Sequence, residues 1–148
     1  MTTAHPTAAV TVGELMTHDP ILVRDDEPLA HAATMLERHR IHGLPVVDDQ
    51  GRLVGVVSQT DMIRARTTEH LWSAWRGLKV RHLMTAPALT IDTDASLAEA
   101  AARMELHQVH RLVVVGPDGA SPIGIISTSD IVRAMASESG PPVYEVGR

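Results

Sequence analysis

Apolar positions along this chain change period repeatedly, and each change marks an element. The short run Ile21–Val23 predicts a strand. After it, Leu29, Ala32, Ala33 and Leu36 form one stripe at helical spacing, and Pro28 suits the first helical position. Two β-type runs follow, Leu44–Val47 and Leu53–Val57, separated by the turn residues DDQG. A second helix is predicted from near Thr60. The same order then returns. Leu89–Ile91 predicts a strand, and Ser96 with Glu99 makes a capping box ahead of Leu97, Ala100, Ala101 and Met104. Leu112–Val115 and Ile123–Ile126 flank the turn GPDGAS, and a last helix starts near Ser129. The chain reads β-α-β-β-α twice.

The residues repeat as well as the pattern. VGELMT at 12–17 matches VRHLMT at 80–85, and RIHGLPVVDDQG at 40–51 matches QVHRLVVVGPDG at 108–119. GVVSQTDMIRA at 55–65 matches GIISTSDIVRA at 124–134. The offset is 68 residues up to the turn near Gly51 and Gly119, and 69 beyond it. This is an internal duplication, with repeat 1 over 12–66 and repeat 2 over 80–136. The segment between them, TTEHLWSAWRGLKV, reads as a helical linker over 67–79 that continues the first repeat's closing helix. Leu71, Trp72, Trp75 and Leu78 lie on one side of it, placed to pack on the other repeat or on a second subunit. Residues 1–11 and 137–148 are expected to be flexible. A unit of about 55 residues has a marginal core alone. Two copies can bury their apolar faces together, which predicts an α/β domain with pseudo-two-fold symmetry and equivalent positions around a central cleft.

Composition narrows the function classes. Of 148 residues, 44% are hydrophobic and 21% charged, as in a globular protein. The net charge of −5 argues against a nucleic-acid-binding surface. With no Phe, two Trp and one Tyr, a base-stacking platform is not expected either. The absence of Cys excludes disulfides, thiolate metal sites and cysteine nucleophiles, and fits a cytoplasmic protein. MTTAHPTAAV lacks the features of a signal peptide. No apolar stretch approaches the roughly 20 residues that span a bilayer, so no membrane partner is expected.

The candidate chemistry sits in the repeated Ser-x-x-Asp. Ser58 with Asp61, and Ser127 with Asp130, fall where a strand turns into a helix. Such residues cap helices, because their oxygens accept from unpaired backbone N–H groups. The same carboxylate can accept from both hydroxyls of a ribose, beside a helix start that favours an anion. The two roles are compatible. His42-Gly-Leu-Pro and His110-Arg-Leu-Val open the second strand of each copy, and Arg111 offers a charged fork suited to phosphate. Arg64 and Arg133 follow the aspartates by three residues, either pairing with them or pointing at phosphate. His39 with His42, and His107 with His110, repeat a spacing that could contribute to a metal site, but no acidic cluster completes one, so no metal is expected. Neither copy has a phosphate loop, a nucleophile elbow or a paired base and nucleophile, so no enzyme is expected.

LMT with a following strand, HGLPVVD, and Gly-apolar-apolar-Ser-x-x-Asp, each occurring twice, resemble a tandem pair of cystathionine-beta-synthase (CBS) domains. The resemblance covers about Val12 to Ala136. It implies two repeats packed through their β-sheets, with a cleft that binds an adenosine-containing ligand: AMP, ADP or ATP, or S-adenosylmethionine. It implies no catalytic cofactor, a homodimer, and regulation of a separate effector protein. Asp61 and Asp130 match ribose-binding aspartates, and Ser58 and Ser127 the hydroxyls before them. Thr60 and Ser129 match positions contacting phosphate or ribose. Ile21, Leu22 and Val23, and Leu89, Thr90 and Ile91, match the segment whose backbone reads the adenine edge. Leu44-Pro45 and Leu112-Val113 match positions flanking the base. His42, His110 and Arg111 match positions facing phosphates. Gly43 stands where the second copy has Arg111, and Val113 where the first has Pro45, so the two sites should differ, with stronger phosphate binding near Arg111. The alternative is a scaffold that dimerises without a ligand.

Overall fold

The computed structural model describes residues 10–137. Most of the two ends expected to be flexible, 1–11 and 137–148, therefore lies outside the described residues. In chain order the elements are α1 (Val12–Leu15), β1 (Thr17–His18), β2 (Val23–Arg24), α2 (Leu29–His39), β3 (Gly43–Val47), β4 (Leu53–Ser58), α3 (Gln59–Thr67) and α4 (Glu69–Ser73). After a 3-10 turn at Trp75–Gly77 come α5 (Val80–Leu83), β5 (Thr90–Asp92), α6 (Leu97–His107), β6 (Arg111–Val115), β7 (Pro122–Ser127) and α7 (Thr128–Ser137).

Each repeat folds as its pattern requires. The stripe on α2 buries Leu29, Ala32 and Leu36, and α6 buries Ala100 and Met104. Both helices end on a left-handed residue, Arg40 at φ 53° and Gln108 at φ 55°, which turns the chain into the next strand. β2 and β5 run parallel to β3 and β6 across these helices. The hairpins β3–β4 and β6–β7 are antiparallel, and their turns place Gly51 and Gly119 at positive φ, where glycine carries no steric penalty. The parallel pairing begins only at Val23 and Thr90. The first strands are thus shifted from the expected Ile21–Val23 and Leu89–Ile91, and Ile21 and Leu89 are left ahead of them.

The leading segments are exchanged between repeats. α1 and β1 come from the first repeat but belong to the second unit. The amides of Val12 and Gly13 donate to the Ala95 and Thr93 carbonyls, both at 2.9 Å. Thr17 pairs with Ile125, which makes a four-stranded sheet of order β1-β7-β6-β5. Val12 and Met16 are buried with Ile91, Leu112, Val114 and Ile126. In the reverse direction, α5 closes the first unit. Val80 N–H donates to the Glu27 carbonyl at 2.9 Å, and Val80 and Leu83 join Val23, Leu29, Leu44 and Val57 in its core. Thr85 and Val56 exchange backbone hydrogen bonds of 2.9 and 3.0 Å. This crossing explains the repeated glycine before each Ser-x-x-Asp. A Cβ at Gly55 would lie 2.7 Å from the Thr85 carbonyl oxygen, too close for any side chain.

The linker differs from a continuous helix. α3 stops at Thr67, because Thr68 is extended (φ −103°, ψ 115°), and α4 and the 3-10 turn follow as separate pieces. The break turns Leu71, Trp75 and Leu78 onto the first unit's own core, not onto the other repeat. Trp72 stays 42% exposed. Its ring lies 5.4 Å from that of Trp75, and the Arg66 guanidinium sits 4.6 Å from its centroid.

Candidate functional site

The exchange of leading segments creates two clefts related by the pseudo-two-fold axis. Each takes one wall from the LMT segment and helix end of one repeat and another from the Ser-x-x-Asp turn of the other. The larger, about 490 Å³, runs from Thr17, Pro20 and Ile21 past Arg40, Ile41 and His42 to Ile125, Ser127, Thr128, Ser129 and Asp130. The smaller, about 240 Å³, has Thr85, Ala88 and Leu89, then Gln108 and Val109, facing Val56 and Ser58, with Pro45 and Val113 between. His110, Arg111 and Gly43 line both.

Both Ser-x-x-Asp turns are capping boxes. Asp130 Oδ2 accepts from Ser127 N–H at 2.8 Å and from the Ser127 hydroxyl at 3.1 Å, while Asp130 N–H donates back to Ser127 Oγ at 3.2 Å. Asp61 Oδ2 accepts from Ser58 N–H at 2.7 Å and from its hydroxyl at 3.1 Å. Both carboxylates are buried, Asp61 at 4% and Asp130 at 7% exposure. The arginines three residues on pair with them, Arg133 with Asp130 Oδ1 at 3.1 Å and Arg64 with Asp61 Oδ1 at 3.3 Å. Arg64 also donates to the Leu83 carbonyl at 2.9 Å. A carboxylate has about four acceptor positions. Oδ2 is filled by the cap, and Oδ1 keeps one position for a further donor.

Arg111 is the cation shared by the clefts. It opens β6, half-buried, and it forms no ion pair among the described residues. Burial lowers its pKa from the ordinary value, the mark of a guanidinium held partly out of water. Its aliphatic stem covers Gly43, where a Cβ would come 3.3 Å from Arg111 Cδ. The axis brings positions 43 and 111 together, and glycine at one makes room for arginine at the other.

The structure gathers Ile21, His42, His110, Arg111, Ser127, Ser129 and Asp130 at the larger cleft, and Pro45, Ser58, Leu89, His110 and Arg111 at the smaller. Asp61 lies beneath Arg64 and is not among the residues lining the smaller cleft. Val23, Leu44, Ile91 and Leu112 are buried in the two cores. Leu22 and Thr60 are exposed and are not among the residues lining either cleft, and the Thr90 carbonyl accepts from Arg103. Sequence reasoning missed Thr17 and Thr85, and Arg40 and Gln108. The first pair stands in the repeated LMT, and the second directly precedes the repeated apolar-His step, so the duplication itself carried the signal. No three His, Cys, Asp or Glu side chains converge among the described residues.

Two β-α-β-β-α units with crossed leading segments and paired clefts define a tandem module. The chain belongs to the CBS domain family, whose sequence model matches residues 12–67 and 80–137. It is similar to CBSX2 of Arabidopsis thaliana, whose structure was determined in complex with AMP (32% identity, 85% of this chain and 96% of that one, TM-score 0.74). It is also similar to the CBS domain pair of protein MJ0100, in complex with 5-methylthioadenosine and S-adenosyl-L-methionine (25% identity, 86% and 97% coverage, TM-score 0.77). Protein MJ1404 of Methanocaldococcus jannaschii is 30% identical over 135 residues, which are 84% of this chain. The chain spans 32% of the length of that relative.

Proposed function

We propose that this CBS pair binds an adenosine-containing nucleotide in the clefts between its repeats and passes its occupancy to a separate effector protein, without catalysis of its own. One observation carries the reading. Asp130, buried with an acceptor position left on Oδ1, faces Arg40, His42, His110 and Arg111 across a single cleft. The carboxylate can accept from ribose hydroxyls, and the cations suit phosphates. The AMP complex of CBSX2 supports the ligand class. The complexes of MJ0100 keep S-adenosylmethionine within it. No helix among the described residues is long and apolar enough to cross a membrane. The cysteine-free composition suits a cytoplasmic site of action. Calorimetric titration of nucleotide-free protein with AMP and ATP is expected to show saturable binding. No heat with AMP, ADP, ATP or S-adenosylmethionine would overturn the reading. The capping boxes favour a second reading in that case, a scaffold in which both aspartates only start helices.

Either role is compatible with a homodimer. The closing helices expose apolar residues outward, Ile63 on α3 at 63%, and Val132 and Met135 on α7 at 62% and 64%. A second copy of the chain would bury them. Ile63→Glu combined with Val132→Glu is expected to convert a dimer to a monomer in sedimentation velocity, with the circular dichroism spectrum unchanged. A wild-type protein that sediments as a monomer would contradict the dimer.

A further inference from the structure

The two clefts are not equivalent, and their differences fall at pseudo-symmetric positions. Arg40 of the larger cleft corresponds to Gln108 of the smaller, both left-handed residues that end a helix. Asp19 of the larger corresponds to Pro87 of the smaller. The larger cleft is thus lined by two arginines, Arg40 and Arg111, neither in an ion pair among the described residues. Its two carboxylates are Asp130, already paired with Arg133, and Asp19. The smaller cleft has Arg111 as its one guanidinium, and its remaining walls are mostly apolar, with Pro45, Val56, Leu89 and Val113. Its volume, about 240 Å³, is half that of its counterpart.

We propose that the clefts divide their ligands by charge: the Asp130 cleft takes one phosphorylated adenosine ligand per chain, and the Ser58 cleft takes an uncharged nucleoside. The division rests on the nucleotide reading above and deepens it. Phosphate recruits forked, permanently charged donors, and of the two clefts one is lined by two arginines. Once Arg111 turns to a phosphate beside Arg40, the Ser58 cleft is left with the neutral Gln108. A second phosphate there would be desolvated without a guanidinium partner, which is unfavourable. An uncharged nucleoside makes no such demand and fits the smaller, more apolar space. Gly43 is what makes the sharing possible, since a second arginine at that position would meet Arg111 at the axis.

The test is calorimetric titration with ADP, followed by titration of the ADP-saturated protein with adenosine. The expected result is one ADP per chain and one further equivalent of adenosine. Arg40→Gln is expected to weaken ADP by roughly tenfold, the lower range for loss of a charge-assisted hydrogen bond. Gln108→Arg is expected to add a second ADP per chain. Two equal ADP sites in the wild type, or ADP binding indifferent to Arg40→Gln, would overturn the division while leaving nucleotide binding intact. So would one ADP per chain with no adenosine bound afterwards. Failure of both ADP and adenosine to bind would overturn the division, and failure of AMP, ATP and S-adenosylmethionine as well would overturn the nucleotide reading itself.

Discussion

Asp130→Ala is expected to weaken the protein in two separable ways. The first is stability. The substitution removes the Oδ2 acceptor that holds Ser127 N–H and its hydroxyl at the start of α7. Loss of a capping side chain costs about 0.5–2 kcal/mol. The ion pair to Arg133 adds little, because that arginine side chain is 70% exposed. The second is ligand affinity. Removing a charged acceptor for the ribose is expected to cost about 1–3 kcal/mol of nucleotide binding. Asp61→Ala is expected to lose the stability of its cap but to keep near wild-type ADP affinity, because Asp61 does not line the smaller cleft and the nucleotide sits beside Asp130. Ser127→Ala separates the effects: it loses hydroxyl bonds of the cap but keeps the carboxylate, so stability falls while most affinity survives. Urea denaturation and calorimetry on the three variants check this. Wild-type nucleotide affinity in Asp130→Ala would show that its carboxylate only caps a helix.

A fragment holding repeat 1 alone, residues 12–67, is expected not to fold cooperatively. It lacks Val80 and Leu83, both buried in its core, and the Thr85 partner of Val56. Burial of each such side chain is worth about 1.5–3 kcal/mol. Together, at about 3–6 kcal/mol, they reach the lower end of a small domain's whole stability, about 5–15 kcal/mol. The fragment also carries α1, whose Val12 and Met16 belong to the other core and would be exposed. A fragment of residues 20–86 keeps α5 and Thr85 and is expected to recover a sigmoidal urea transition by circular dichroism. A cooperative transition in 12–67 equal to that of 20–86 would contradict the exchange of leading segments.

That exchange marks the limit of what the sequence disclosed. Duplication, the β-α-β-β-α order and the capping boxes were legible, because each depends on neighbours within a few residues. The stripe on α2 and the Ser96–Glu99 box on α6 occur where the pattern places them. Which unit α1 and α5 would complete depends on contacts between residues as distant as Val12 and Ala95. No local period encodes that. The first strands moved for the same reason, since their start is set by pairing with β3 and β6. The motif Ser-x-x-Asp was visible, but its opposite wall was not. Arg40 looks like an ordinary helix-end residue until the fold sets it across from Asp130. Leu44 and Leu112 read as cleft residues by family likeness, yet strand alternation turns them inward to the cores. The sharing of Arg111 needed the axis itself, which places Gly43 beneath it.

The most direct test of the central claim is a crystal structure of the protein grown with ADP. The account predicts a nucleotide in the larger cleft, its ribose within hydrogen-bonding distance of Asp130 and its phosphates against Arg40 and Arg111. Both clefts empty at saturating ADP, or a nucleotide bound elsewhere on the chain, would contradict it.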